Sequence, residues 1–159
     1  MSQAGVIDGL QFARKAEVRQ GRLNLSDLPR LAGMRCSTEG LEYQVSGAMN
    51  ARGKPCLRVG ISGLLQLVCQ RCVGPLPHHV AVDVELVLSD NLREIEEADD
   101  DMDRVLATRR MDLGQVVEDE VILSLPMVPR HETCARAAAA GREVRESPFG
   151  VLANWKRGG

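Results

Sequence analysis

The sequence predicts an α+β fold: a small antiparallel β-sheet or meander with one packed helix, a mobile acidic loop and flexible termini. Three observations predict it. Apolar and polar residues alternate over 41–46 and again over 80–88, the two-residue period of a half-buried strand. Short connections join the β segments, which favours antiparallel neighbours. From 113 to 125 the apolar residues take the spacing of a helix.

The length of 159 residues indicates one domain with tails. We predict a basic N-terminal arm over 1–35, an α+β core over 36–134 with an acidic loop at 89–103, and a flexible tail over 135–159 with a short terminal helix. The core should be aliphatic, because the chain has one Trp, one Tyr and two Phe. So few aromatic residues disfavour base stacking as the main way of binding single-stranded nucleic acid.

The β segments follow one another along the chain. After the alternation over 41–46, the Asn-Ala-Arg-Gly sequence at 50–53 predicts a turn. The apolar run over 56–68 contains two glycines and predicts one bent strand or two. Residues 69–77 predict a turn, and the alternation over 80–88 is the clearest strand pattern in the chain.

One long helix follows the acidic loop. Asp112 can cap it, and Gln115 lies three residues further on, as in a capping box. The helix should end before Pro126, because the residue before a proline disfavours helical backbone. Residues 147–156 begin with Ser-Pro, which predicts a capped short helix near the end of the chain.

Charge is unevenly distributed, although the net charge is only −2. Residues 1–80 have 10 basic and 5 acidic side chains, residues 81–125 have 4 and 14, and residues 126–159 have 6 and 3. This pattern predicts two surfaces of opposite potential, one suited to phosphates and one to a basic partner. The alternative is an ordinary solvated surface with one acidic loop.

The sequence also predicts where the protein works. No run approaches the roughly 18–20 apolar residues of a membrane span, and the first residues lack the pattern of a signal peptide. We therefore expect a cytoplasmic protein with no membrane partner, in which thiols stay reduced. The odd number of cysteines, 5, argues against a disulfide framework as well.

Two pairs of metal-ligand residues are the sharpest chemical feature. Cys69 and Cys72 have the two-residue spacing of zinc ligands, and His131 and Cys134 form a second pair far downstream. Together they supply three sulfurs and one nitrogen, a ligand set of structural Zn²⁺ sites. Alternatively, the first pair packs at a hairpin end as small residues. A redox role is disfavoured, because the prolines in 73–77 prevent the helix that redox pairs use.

Basic side chains of the arm and the cysteine turn are candidates for contacting RNA phosphates. Such contacts give salt-dependent affinity without sequence information. The alternative is a plainly solvated arm. The candidate residues are Arg14, Lys15, Arg19, Arg22 and Arg71.

Three consecutive acidic residues lie on the predicted helix: Glu118, Asp119 and Glu120. On a helix they point around the surface rather than converging, which favours a partner-binding or solvated surface over catalysis. The chain also has no Gly-rich phosphate loop with a lysine, no nucleophile elbow and no His-x3-His pair. We therefore predict a binding protein with no enzymatic activity and no small-molecule substrate.

Three segments together resemble the YceD family, the large ribosomal RNA subunit accumulation proteins of bacteria. They are Leu-Val-Cys-Gln-Arg-Cys-Val-Gly-Pro-Leu at 67–76, the acidic helix running into Leu-Pro and Pro-Arg-His at 116–131, and Ser-Pro-Phe-Gly-Val-Leu at 147–152. Their order and spacing agree with the family, as does the acidic loop between the first two.

The resemblance implies a non-enzymatic role in the synthesis, processing or stability of large-subunit (23S) ribosomal RNA. The expected partners are that RNA or its precursor and ribosomal or RNA-processing proteins. Two alternatives remain: a protein–protein adaptor that does not contact RNA, and a zinc or redox thiol protein.

Overall fold

A computed structural model describes residues 4–134 of the chain and confirms the predicted α+β class. The predicted tail over 135–159, with its terminal helix, lies outside these residues. The elements, in chain order, are β1 (Val6–Ile7), α1 (Gly9–Arg14), β2 (Val18–Leu23), a 3-10 turn (Leu25–Asp27), α2 (Pro29–Ala32), β3 (Ser37–Met49), β4 (Pro55–Val68), β5 (Pro75–Ser89), α3 (Leu92–Glu96), β6 (Arg104–Leu106), β7 (Met111–Asp112) and α4 (Leu113–Ser124).

A five-stranded sheet with the order β2-β3-β4-β5-β6 organises the fold. Strands β3, β4 and β5 form the predicted antiparallel meander, β2 pairs antiparallel with β3 at one edge, and β6 pairs with β5 in parallel at the other. The glycine-containing run at 56–68 forms one strand. Gly63, with a φ of +156°, lies opposite an irregularity in β3 between Thr38 and Leu41. A Cβ atom at Gly63 would lie 2.7 Å from Leu41 Cδ2, so the close strand contact requires glycine here.

One face of the sheet is buried beneath α4 and the N-terminal elements. Asp112 caps α4 as predicted, accepting a hydrogen bond from the Gly114 N–H at 2.8 Å. The helix ends at Ser124, two residues before Pro126. Within residues 4–134, α4 is the longest helix at 12 residues, and no helix there has the length and apolarity to cross a membrane.

The N-terminal 35 residues are not held apart from the core as an arm. Their apolar side chains enter the core, and β2 extends the sheet. These buried side chains follow no regular hydrophobic period in the sequence, because the segment alternates among short helices, a strand and turns. Five of its residues are at most 2% exposed: Phe12, Ala13, Leu23, Leu28 and Leu31.

Part of the acidic segment 89–103 is ordered as α3. Asp100 is bonded to Arg104, with Nη2 and Oδ2 2.8 Å apart, and lies 3.3 Å from Arg52 Nη1. Glu94 pairs with Lys54 and accepts a hydrogen bond from the Ser89 hydroxyl at 2.7 Å. The segment is therefore attached to the β3–β4 turn and to β6, while most of its other acidic side chains are exposed.

Candidate metal centre and charged surfaces

The first half of the candidate centre is the tight turn between β4 and β5. The Cys69 N–H donates to the Gly74 carbonyl and the Val73 N–H donates to the Cys69 carbonyl, each at 2.9 Å. Val73 adopts a left-handed backbone conformation with a φ of +62°. These bonds fold residues 69–74 back on themselves, so the Cys69 and Cys72 thiols face the same space.

The second half is the extended segment that follows α4. The Gln70 N–H donates to the Pro129 carbonyl at 2.9 Å, which docks this segment on the turn. The His131 N–H then points at Cys69 Sγ, 3.5 Å away. Two residues separated by 62 positions are thereby brought into contact, as the predicted metal site requires.

The four predicted ligands converge in the structure. The donor atoms of Cys69, Cys72, His131 and Cys134 all lie within 4.8 Å of one another. The Sγ atoms of Cys69 and Cys134 are 3.7 Å apart, and Cys72 Sγ is 3.4 Å from His131 Nδ1. Two sulfur ligands of one tetrahedral Zn²⁺, each at about 2.3 Å, lie about 3.8 Å apart, so the spacing fits the ion. It is far longer than a disulfide of about 2.05 Å.

The imidazole of His131 is oriented by a contact on its other side. Nε2 lies 3.0 Å from the Pro75 carbonyl oxygen, which can only accept a hydrogen bond. The proton therefore belongs on Nε2, and the lone pair of Nδ1 points toward the thiols. Histidine ligands of zinc commonly have this arrangement, in which a carbonyl fixes the tautomer and the ring orientation.

The electrostatics of the turn favour a thiolate at Cys69. Burial raises the pKa of this thiol, but N–H groups of Cys72, His131 and Arg71 donate to the sulfur and lower the pKa to about 5. The Gly74 N–H lowers the pKa of Cys72, whereas burial and the Cys69 and Cys134 sulfurs raise it and prevail. One thiolate is thus stabilised before a metal binds, which suits a cation site.

The residues fit a metal ion: with all four bound to one tetrahedral ion, the ligand set would be that of a closed structural site, with no position left for a substrate or an activated water. The three cysteines are free thiols with exposures from buried to intermediate. Zn²⁺ bound there would cross-link the β4–β5 turn to the segment after α4.

Arg71, predicted as an RNA contact, bonds the candidate metal centre in the structure. Its Nε donates to Cys134 Sγ at 3.0 Å, and Nη2 donates to the His131 carbonyl at 2.9 Å. The position of Arg71 between Cys69 and Cys72 is the feature of the sequence that could have indicated its contact with the centre.

The other predicted RNA contacts lie on exposed surface. Arg14 and Lys15 end α1, while Arg19 and Arg22 belong to the edge strand β2. Arg22 donates to the Glu39 carbonyl at 2.9 Å. These four residues are near one another in the chain and exposed, and Arg19 and Arg22 point to opposite faces of β2 because side chains alternate along a strand.

The acidic triplet of α4 does not form one exposed group, and the expected surface position of Glu118 is wrong. Its side chain is 3% exposed and accepts hydrogen bonds from the backbone N–H groups of Arg30 and Leu31, at 2.7 and 3.0 Å. Arg30 Nε also donates to it at 3.1 Å. Asp119 is exposed, and burial raises the pKa of Glu120, with further contributions from Asp103 and Asp119.

Sequence reasoning missed this contact between α2 and α4, although a signal was present. Glu118 falls on the helical stripe of Gly114, Val121 and Leu125, which packs inward. A carboxylate on that stripe needs hydrogen-bond donors, and the backbone of α2 supplies them.

The fold and the site together define a class: an α+β protein whose sheet carries, at a hairpin end, a Cys3His group that could hold a metal ion. Comparison with known families then identifies the chain. Residues 57–154, more than half of the sequence, match the family described as large ribosomal RNA subunit accumulation protein YceD. The chain belongs to the YceD family, which supports a role in the accumulation of large-subunit ribosomal RNA. No solved structure matches the chain.

Proposed function

We propose that this protein is a cytoplasmic, non-enzymatic accessory factor that promotes accumulation of 23S ribosomal RNA by binding the RNA or its precursor and ribosome-assembly proteins. The observation that carries the proposal is the closed Cys3His centre in a chain of this family. A site with all four positions filled by protein ligands stabilises structure rather than performing chemistry.

RNA binding is assigned to the exposed basic side chains of α1 and β2. Arg14, Lys15, Arg19 and Arg22 lie close together in the chain on exposed surface. Arginine and lysine at such positions bind phosphates by charge, and little aromatic surface is needed. The two aromatic residues within 4–134, Phe12 and Tyr43, are buried in the core, which is consistent with backbone rather than base contacts.

Protein binding is assigned to the acidic surface around α3 and the exposed part of α4. Its exposed carboxylates complement a basic partner, such as a ribosomal protein or an RNA-processing factor. The members of this surface include Asp90, Glu96, Glu97, Asp99, Asp101, Asp103 and Asp119.

Crosslinking in cells with a tagged full-length chain tests both assignments. We expect crosslinks to 23S RNA or its precursor, reduced in the variant with R14Q, K15Q, R19Q and R22Q. The control R93Q with R109Q and R110Q removes three exposed arginines elsewhere and should retain the crosslinks. In vitro, each lost phosphate contact should lower the salt slope of RNA affinity by about 0.7–0.9.

A protein–protein adaptor that does not touch RNA is the second candidate. The net charge of −2 and the extent of the acidic surface favour it. Recovery of ribosomal or processing proteins with no direct RNA crosslink would support the adaptor and contradict RNA binding. Absence of both would contradict the proposed function as a whole.

We also propose that Cys69, Cys72, His131 and Cys134 hold one structural Zn²⁺. Protein purified without chelators should contain about one zinc per chain by elemental analysis. C72S and H131A should lose the metal. C36S is the matched control, because Cys36 is a free thiol that donates to the Leu31 carbonyl, away from the centre. Metal-free wild-type protein would contradict the proposal.

A further inference from the structure

Arg71 makes three contacts with the downstream half of the metal centre. Nε donates to Cys134 Sγ at 3.0 Å, and Nη2 lies 2.9 Å from the His131 carbonyl oxygen and 3.2 Å from that of Glu132. One planar guanidinium thus bonds a ligand sulfur and two consecutive carbonyls of the ligand segment. Lysine offers no such fork, because its ammonium is a point charge.

The segment that Arg71 contacts has no regular secondary structure of its own over residues 125–134. Its other contacts with the turn and with β5 are the Gln70–Pro129 hydrogen bond and the contacts of His131 with Cys69 and Pro75. His131 and Cys134 must nevertheless be placed within a few tenths of an ångström to complete a tetrahedral site. A side chain anchored between Cys69 and Cys72 is well positioned to orient them, since the turn that carries it is itself fixed by hydrogen bonds.

Charge gives a second reason for an arginine here. With Zn²⁺ bound, three thiolates, a neutral imidazole and the ion would sum to one negative charge. The guanidinium would bring that sum to zero, and its Nε–H is already directed at the Cys134 sulfur. Contacts of this kind to ligands of a metal commonly change metal affinity by about 10–100-fold.

We propose that Arg71 is a positioning residue of the metal centre: it orients His131 and Cys134 through its hydrogen bonds to the Cys134 sulfur and to the His131 and Glu132 carbonyls, and it does not serve as a phosphate contact. The proposal rests on the zinc centre proposed above. It separates Arg71 from Arg14, Lys15, Arg19 and Arg22 in function as well as in position.

Competition with a chromophoric chelator measures the zinc affinity of the full chain. We expect R71Q to lower the affinity about 10–100-fold. R71K should recover part of the loss, because an ammonium restores the charge but cannot bond the sulfur and both carbonyls together. R14Q, which removes an exposed arginine outside the centre, should leave the affinity unchanged. An R71Q affinity within about twofold of wild type would overturn the proposal.

Cobalt(II) in place of zinc distinguishes positioning through Cys134 from a general loss of structure. In R71Q the three-thiolate charge-transfer band should keep its intensity and move to lower energy, since the Cys134 thiolate loses its hydrogen bond. Alkylation of Cys134 in the zinc-loaded variant, followed by mass spectrometry, should be faster than in wild type. An unchanged band and unchanged alkylation rate would contradict the role assigned to Arg71.

The two proposals fail in distinguishable ways. If wild-type protein binds neither zinc nor cobalt, the metal centre itself is wrong. If wild type binds both and R71Q matches it in affinity, band energy and Cys134 reactivity, the centre stands and the inference about Arg71 is wrong. Crosslinking of R71Q to RNA adds a further check, because loss of RNA binding with unchanged metal affinity would return Arg71 to the phosphate contacts.

Discussion

Val73 is a β-branched residue in a left-handed backbone conformation, with a φ of +62°. The contact between Cβ and the backbone makes this conformation unfavourable by about 1–2 kcal/mol for residues other than glycine. The side chain is 74% exposed, so packing contributes little in return. The hydrogen bonds of the cysteine turn therefore hold Val73 in a strained conformation beside the metal centre.

Replacement of Val73 by glycine should stabilise the protein by up to about 1 kcal/mol. The free energy gained by relieving the backbone strain should exceed the loss of stability that glycine causes by raising the conformational entropy of the unfolded chain, which is about 0.5–1 kcal/mol. Urea unfolding of metal-free protein measures the change. V18G is the control, because Val18 is also exposed but lies in the extended strand β2, where glycine should destabilise. A lower stability of V73G would contradict the account of the turn.

Glu118 should be among the more sensitive side chains to truncation. E118A leaves the N–H groups of Arg30 and Leu31 without their acceptor, with an expected loss of about 1–3 kcal/mol for a buried unpaired donor. D119A removes the neighbouring carboxylate, which is exposed and pairs with Arg30 at the surface, and should cost about 0–1 kcal/mol. Chemical unfolding of both variants checks this, and equal losses would refute the buried role of Glu118.

At the scale of elements, α1 packs directly on the backbone of β3. A Cβ atom at Gly47 would lie 2.3 Å from the Phe12 carbonyl oxygen and 2.7 Å from Ala13 Cα. Both contacts are with backbone, which cannot rotate away. Because Gly47 has no side chain, α1 can lie directly against the strand backbone, and Phe12 of this helix can reach the core.

G47A should therefore destabilise the protein by about 1–3 kcal/mol, as overpacking typically does. G60A is the matched control in β4, because its nearest atom, the Gln44 carbonyl oxygen, would be 3.9 Å from the new Cβ. We expect G60A to be neutral or slightly stabilising. Thermal unfolding followed by circular dichroism compares the two, and similar melting temperatures would contradict the close packing of α1.

The acidic segment gives a prediction about pH. Hydrogen bonds from Arg104 lower the pKa of Asp100 to about 2; burial opposes this, and the Met102 N–H and Arg52 add to it. Because the folded pKa lies below the unfolded value of about 3.9, the ionised form stabilises the fold above pH 4. That stabilisation should disappear as the pH falls from about 4 to 2.

The variant D100N isolates this contribution. Its melting temperature should be lower than that of wild type at neutral pH, and the difference should shrink as the pH approaches 2. D101N, a neighbouring exposed carboxylate, should match wild type throughout. A difference between D100N and wild type that does not vary with pH would contradict the ion-pair assignment.

At the scale of the whole molecule, the metal centre joins parts of the chain that are distant in sequence. The β4–β5 turn supplies two ligands, and the segment after α4 supplies two more. Helix α4 packs on β4 and β5. A metal bound in the centre would therefore hold the segment that follows α4 against the turn between the same two strands. A bound metal stabilises such a closed arrangement by mass action on the folded state.

Removal of zinc should lower the melting temperature and selectively open residues 127–134. Hydrogen exchange with and without chelator should show the loss of protection. The amides expected to change most are those of His131, within this segment, and of Gln70, which donates to the segment from the β4–β5 turn. C36S should respond to chelator like wild type, whereas C72S should not respond. Identical exchange with and without chelator would show that the metal contributes nothing to this segment.

The sequence by itself determined the parts of this protein that depend on local patterns. Alternation predicted the meander, and Asp112 and Pro126 marked the ends of α4 to within two residues. The two pairs with ligand spacing, Cys69 with Cys72 and His131 with Cys134, were enough to predict the Cys3His group that the structure brings together. Period, capping and ligand chemistry are all properties of a few neighbouring residues, so they can be recognised without coordinates.

Only the tertiary structure decided which long-range contacts these parts make. It placed apolar side chains of residues 4–35 in the core, turned Glu118 inward onto α2, and directed Arg71 to Cys134. Each of these outcomes depends on groups that are far apart in sequence, such as the 87 positions between Leu31 and Glu118. Burial and the hydrogen bonds that compensate it are fixed by packing across the sheet, and neighbouring residues in the sequence do not encode them.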